Sequence, residues 1–186
     1  MATTTYVALL PGINVGGHRR ITMPDLAACF REAGCDHVKT YVQSGNVVFT
    51  STSARRTLAG KLEAAITAGT GHEIRVLLRT GPELARVVDE NPFAGRPDEA
   101  KTVHAVFLDR SAAKALGGFD PAPFAPEELA AGRDEIYLHL PAGMGRAKLP
   151  VALFRATAKA GVVTTARNWR SVTKLLDLAR EIDAAR

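Results

Sequence analysis

The chain has 186 residues, of which 46% are hydrophobic and 23% charged, a balance that supports a buried core and excludes disordered, collagen-like and coiled-coil classes. No apolar run approaches the roughly 20 residues a membrane span needs, and the amino terminus, Met-Ala-Thr-Thr-Thr-Tyr, lacks the basic and apolar regions of a signal peptide, so a cytoplasmic protein is expected. A net charge of +5 favours an anionic partner.

In chain order, residues 6–10 form an apolar run that ends at Pro11 and Gly12, the signature of a strand entering a loop. A helix is expected from Pro24, which suits a first helical position, with Leu26, Ala27, Phe30 and Ala33 at helical spacing and Gly34 closing it. Residues 38–42 and 47–49 alternate as two strands around a Gln43-Ser44-Gly45-Asn46 turn, in which Gly45 supplies the positive φ. A second helix is marked by Leu58, Leu62, Ala65 and Ile66, and a fourth strand by residues 74–78. The order β-α-β-β-α-β predicts a ferredoxin-like first half, residues 1–80. Its first strand is apolar at alternate positions of both parities, so both sheet faces need a cover.

The second half, residues 81–186, is expected to be a related α/β half packed on the first. Its predicted elements are a helix at 82–89 ending before Asn91-Pro92-Phe93, a strand at 103–108 and a short helix at 112–116. A Gly/Pro-rich connection, 117–126, leads to a strand at 136–140, a helix at 150–158 and a long last helix. The fold class expected for the whole is α+β.

Charge is unevenly distributed. Residues 1–80 hold nine Lys/Arg against five Asp/Glu, residues 81–140 six against eleven, and residues 141–186 nine against three. Residues 136–176 contain no acid and seven basic side chains, a candidate anion-binding stretch.

Four segments have the composition of a binding site. The first is the glycine-rich loop with Asn14, Gly16, Gly17 and His18, where backbone amides can converge on an anion; it departs from a P-loop at His18 and Arg19, where Lys and Ser/Thr are needed. The second is the turn bearing Gln43, Ser44 and Asn46. The third carries Gly145, Arg146 and Lys148, a planar donor fork and a point charge beside glycine. The fourth is the string Thr-Thr-Ala-Arg-Asn-Trp-Arg-Ser at 164–171, expected to open the last helix with Thr165 as N-cap and Arg167, Asn168 and Arg170 in the first turn. Trp169 suits core packing or stacking on a ligand ring. Arg79 joins these as a cation that could converge with them. Cys29 and Cys35, without C-x-x-C spacing, are expected to be reduced thiols, and the scattered His37, His72, His104 and His139 are expected to be structural or exposed, so no metal and no cofactor are expected. The acid pairs at 98–99, 127–128 and 134–135 fall in predicted loops and are expected to be solvated.

Together, Gly12-Ile13-Asn14-Val15-Gly16-Gly17, Gln43-Ser44-Gly45-Asn46-Val47-Val48-Phe49, Asn91-Pro92-Phe93 and Thr165-Ala166-Arg167-Asn168-Trp169 resemble the bacterial family known as domain of unknown function 1697, from about residue 6 to residue 178. The resemblance implies a two-part α+β fold and supplies no activity, substrate or catalytic residue. Pro11, His18 and Ala147 stand where that family usually has arginine, lysine and serine, so any ligand contact made by that arginine or that serine in relatives is missing here.

The leading expectation is binding of phosphate groups, of a nucleic acid or nucleotide, through the glycine loops and the basic carboxyl-terminal stretch. An RNA-binding sheet would further need Tyr6, Tyr41 and Phe49 exposed. The alternatives are an enzyme acting on a small phosphorylated or carboxylated metabolite between the halves, and a protein-interaction module marked by an uncovered apolar face, with an oligomer allowed by either.

Overall fold

The computed structural model describes residues 2–14 and 20–186. Of the predicted ligand residues, Gly16, Gly17 and His18 lie outside the described residues. The elements run β1 (Thr4–Leu9), α1 (Met23–Glu32), β2 (Asp36–Tyr41), β3 (Asn46–Ser51), α2 (Arg55–Thr70), β4 (Leu77–Thr80) and α3 (Gly81–Asp89). They continue with α4 (Glu99–Thr102), β5 (Val103–Leu108), α5 (Ala112–Leu116), β6 (Glu128–Ala131), β7 (Glu135–His139), α6 (Leu149–Lys159), β8 (Thr164–Asn168) and α7 (Trp169–Ala184). The strands form two four-stranded antiparallel sheets, β2-β3-β1-β4 and β6-β7-β5-β8, in an α+β arrangement.

The chain divides into two compact units, Met1–Ala85 with Lys174–Arg186, and Arg86–Thr173. The divisions therefore fall inside α3 and α7, and the last residues of the chain belong with the first ones.

In the first unit the helical face of the sheet is set by Tyr6, Ala8, Leu10, Val47 and Phe49, which pack with Leu26 and Phe30 of α1 and Leu58, Leu62 and Ile66 of α2. Phe49 stacks on Tyr6 at 5.9 Å between ring centroids and takes the edge of Phe30 at 5.0 Å. Tyr6 and Phe49 are thus core side chains, which removes two of the three rings an RNA platform would need. On the other face Val7, Leu9 and Val48 are also fully buried. The carboxyl-terminal part of α7 closes on this side, where the Thr5 hydroxyl donates to Asp183 Oδ1 at 2.6 Å.

Helix α1 begins where the sequence expects it. Thr22 is its N-cap and accepts from the Asp25 amide, Pro24 sits in the first turn, and Gly34 follows with φ of 82°. Strand β4 lies three residues later than periodicity suggests, at Leu77–Thr80, with Ile74 and Val76 buried ahead of it.

The second unit has the same strand order as the first, and α5 and α6 pack on Val106, Leu108, Ile136, Leu138 and Leu140. Three elements differ from expectation. Glu128–Ala131 is a strand, paired to β7, and Glu99–Thr102 is a short helix. Thr164–Asn168, expected at a helix start, is strand β8, with Thr165 opposite Phe107 and Arg167 opposite Ala105. The competing force is sheet pairing: β5 is a fully buried strand whose free edge needs backbone partners, and unpaired buried amides are costly.

Candidate functional site

A cleft lies in the first unit, where the loop after β1 meets the β2–β3 turn. It is a cleft of about 530 Å³ lined by Asn14, Arg20, Ile21, Thr22, Met23, Pro24 and Gln43. Asn14 builds it. With φ of 55°, its side chain reaches across the loop, donating to the Ile21 carbonyl at 3.0 Å and the Gln43 carbonyl at 2.9 Å, and accepting from the Ile21 amide at 3.0 Å. One side chain thus ties the entry of α1 to a turn 29 residues away. Its polar atoms are committed to that bracing, so Asn14 positions the cleft.

Thr22 is committed too. Its hydroxyl donates to Asp25 Oδ2 at 2.6 Å while accepting from the Asp25 amide. Arg20 and Gln43 are exposed, and they supply the cleft with a cation and a carboxamide. Ile21, Met23 and Pro24 supply apolar wall.

The neighbouring turn is braced rather than open. Buried Asn46 donates to the Tyr41 carbonyl at 3.1 Å and to Ser44 Oγ at 2.9 Å. At Gly45 φ is 75°, and an added Cβ would stand 2.9 Å from both Leu10 and Ile13, so side-chain bulk is excluded twice over. Ser44 and Asn46 therefore hold Gln43 in place.

The other predicted site residues sit elsewhere. Gly145 and Arg146 are exposed on the turn before α6. The α6 amides that an anion would use are taken: Lys148 N–H donates to Glu127 at 3.0 Å and Leu149 N–H donates to it at 2.7 Å. Glu127, expected to be solvated, is a tethered carboxylate in the position of an incoming anion. Arg167 lies on β8, buried, and donates to Thr165 Oγ1 at 2.7 Å and the Ala166 carbonyl at 2.8 Å. Burial pulls its pKa down to about 10, which leaves it charged at neutral pH. Thr165 is a strand residue and no cap. Asn168 caps α7 instead, accepting from the Ser171 amide at 2.9 Å, and only Arg170 of the expected set is in the first turn and exposed. Trp169 is buried, with its ring 6.4 Å from that of Tyr137, in its core role.

Arg79 is buried on β4 opposite Val7, as Arg167 is on β8 opposite Ala105. Both are the residue before the last of their strand, and Arg79 donates to the Leu78 carbonyl at 2.9 Å.

Sequence reasoning missed two acid clusters of the second unit. Glu135, also expected to be solvated, is fully buried and receives both arms of Arg86, each at 2.9 Å. The bidentate pair, with Glu90 beside it, lifts the Arg86 guanidinium above its ordinary range, and burial pushes the nearby Tyr137 hydroxyl up. Glu128 holds His139 Nδ1 at 2.9 Å and pairs with Arg96 at 3.0 Å. Of the acids expected in loops, Glu99 also serves structure, taking the Asn91 side chain at 2.9 Å and the Gly95 amide at 3.1 Å. Among the described residues no group of three His, Cys, Asp or Glu side chains is placed to hold a metal, and Cys29 and Cys35 are free and buried. No helix among them is long and apolar enough to cross a membrane.

Over residues 3–137 the chain matches the family described as protein of unknown function (DUF1697). The chain belongs to this family. Among solved structures, that of the conserved bacterial protein SP0830 from Streptococcus pneumoniae is similar to this DUF1697 member, with a TM-score of 0.76, 20% sequence identity, and 96% of this chain and 99% of that one covered. At that identity the likeness is one of fold. No curated protein matches the chain.

Proposed function

We propose that this DUF1697 protein binds a phosphate-bearing ligand, a nucleotide or a nucleic-acid phosphate, and that it does so on two related ferredoxin-like units of which the first carries the site. The observation that carries the reading is the cleft of about 530 Å³ braced by Asn14, with exposed Arg20 in its lining. Its volume is that of a small-molecule site, and a guanidinium offers an oxyanion two parallel donors. The ferredoxin-like reading is supported by the β-α-β-β-α-β order and by the sheet order second, third, first, fourth in each unit.

The basic carboxyl-terminal stretch contributes less than its charge suggests. Arg167 is buried against its own strand and Glu127 occupies the amides next to Lys148. That leaves the amino-terminal cleft as the better anion site.

Thermal unfolding with inorganic phosphate and with nucleotides tests the reading, because a ligand bound to the folded state raises its stability. The midpoint is expected to rise in the wild type and to rise less in Arg20→Ala. No rise with any phosphate compound, or an equal rise in the variant, overturns it.

A further inference from the structure

We infer that the cleft takes a nucleoside monophosphate, with the base held at Gln43 and the single phosphate at Arg20. The inference rests on the phosphate-binding reading above and narrows it to one class of ligand.

The lining is divided by chemistry. Asn14 and Thr22 spend their polar atoms inside the protein, on Ile21, Gln43 and Asp25. Arg20 and the Gln43 side chain are the groups of the lining that remain to face a ligand among the described residues. An arginine fork matches one phosphate. A carboxamide carries a donor and an acceptor side by side, and the heterocycle edge that answers it has the same pair in reverse; glutamine reads adenine in this way through its amino group and adjacent ring nitrogen. The rest of the lining is apolar: Met23 is half-buried, Pro24 exposed and Ile21 buried. Thioether sulfur and a proline ring suit the flat face of a base. A bare phosphate or a sugar phosphate leaves the carboxamide and this apolar wall unused.

Gln43 is also positioned in advance. Its carbonyl is held by Asn14 at 2.9 Å, and the following Ser44 to Asn46 turn is braced. A side chain presented from a fixed backbone loses less freedom on binding, which favours selective recognition over general stickiness.

Titration calorimetry with adenosine 5′-monophosphate, adenosine, ribose 5-phosphate and inorganic phosphate tests the inference. The expected result is that the monophosphate binds at least about tenfold tighter than ribose 5-phosphate, about the ratio of one good bidentate base contact. Gln43→Ala is expected to bring the two together, and Arg20→Ala to bring the monophosphate down to adenosine. Both residues are exposed, and an unchanged circular dichroism spectrum verifies that the variants fold. Equal binding of ribose 5-phosphate and the monophosphate, or a preference that survives Gln43→Ala, overturns the inference while leaving phosphate binding standing. Absence of binding by all four compounds overturns both.

Discussion

The two units share a strand order but use it differently. In the first, thirteen residues, 10–22, separate β1 from α1, and Asn14, Arg20, Ile21 and Thr22 among them line the cleft; in the second, three residues, 109–111, join β5 to α5. The hydrogen bond that starts each loop is the same, from Leu10 N–H to the Gly45 carbonyl at 2.8 Å and from Leu108 N–H to the Asp134 carbonyl at 3.1 Å. From there the second unit shuts at once, with Ala112 N–H donating to the Arg133 carbonyl at 2.8 Å. The difference teaches that two units of one strand order can diverge through the length of a single loop, the longer of which lines the cleft. The second unit has instead turned its polar side chains inward, in the Arg86–Glu135 pair and the Glu127 clasp.

If that division is right, the largest stability effect belongs to the second unit. Glu135→Ala leaves Arg86 without its bidentate partner and is expected to cost about 3–5 kcal/mol in urea unfolding; a loss under about 1 kcal/mol would show the pair to be dispensable. In the first unit Asn14→Ala removes three hydrogen bonds, for about 1–3 kcal/mol, and is expected to abolish ligand binding as well. Retained binding in that variant would separate the brace from the cleft. Glu127→Ala uncaps α6 at about 1 kcal/mol and is expected to leave cleft binding unchanged, which calorimetry checks.

A pH scan followed by hydrogen exchange reads a smaller difference between the sheets. Burial lowers the pKa of His104, so the unfolded chain takes up that proton first. Stability is complete above the ordinary histidine value, about 6.5, and declines as the pH falls below it. For Glu83, burial alone would raise the carboxyl, but the Thr80 amide and Arg55 outweigh it and hold it below its ordinary range. Its contribution is present above about pH 4.3 and is lost as the pH falls through the depressed value. Amides of β5 are therefore expected to lose protection at a higher pH than those of β1, and His104→Leu is expected to erase the upper step. The smallest effect on stability is Arg20→Ala, within about 0.5 kcal/mol, although it removes the cation proposed to meet the phosphate.

Much of this was legible in the sequence. The strand at 103–108 and the helix at 112–116 fall where the sequence places them, because a mostly apolar run and a short alanine-rich turn leave little choice. Strand β6, Glu-Leu-Ala-Ala, has no β-branched residue, and β8 has the look of a helix cap; both exist through pairing with distant strands. The site was half legible. Asn14 and Gln43 stood out as loop residues, but their meeting across 29 residues is a tertiary fact. Glu127 and Glu135 were misread because their partners, the α6 amides and Arg86, lie 21 and 49 residues away.

The return of Lys174–Arg186 to the first unit has a consequence for synthesis. Thr5 meets Asp183 across 178 residues, so at typical translation rates of about 5–20 residues per second the first strand waits about 10–35 s for its partner. Until then one face of the first sheet lacks the α7 cover. The second unit, continuous from Arg86 to Thr173, is the part free to fold first.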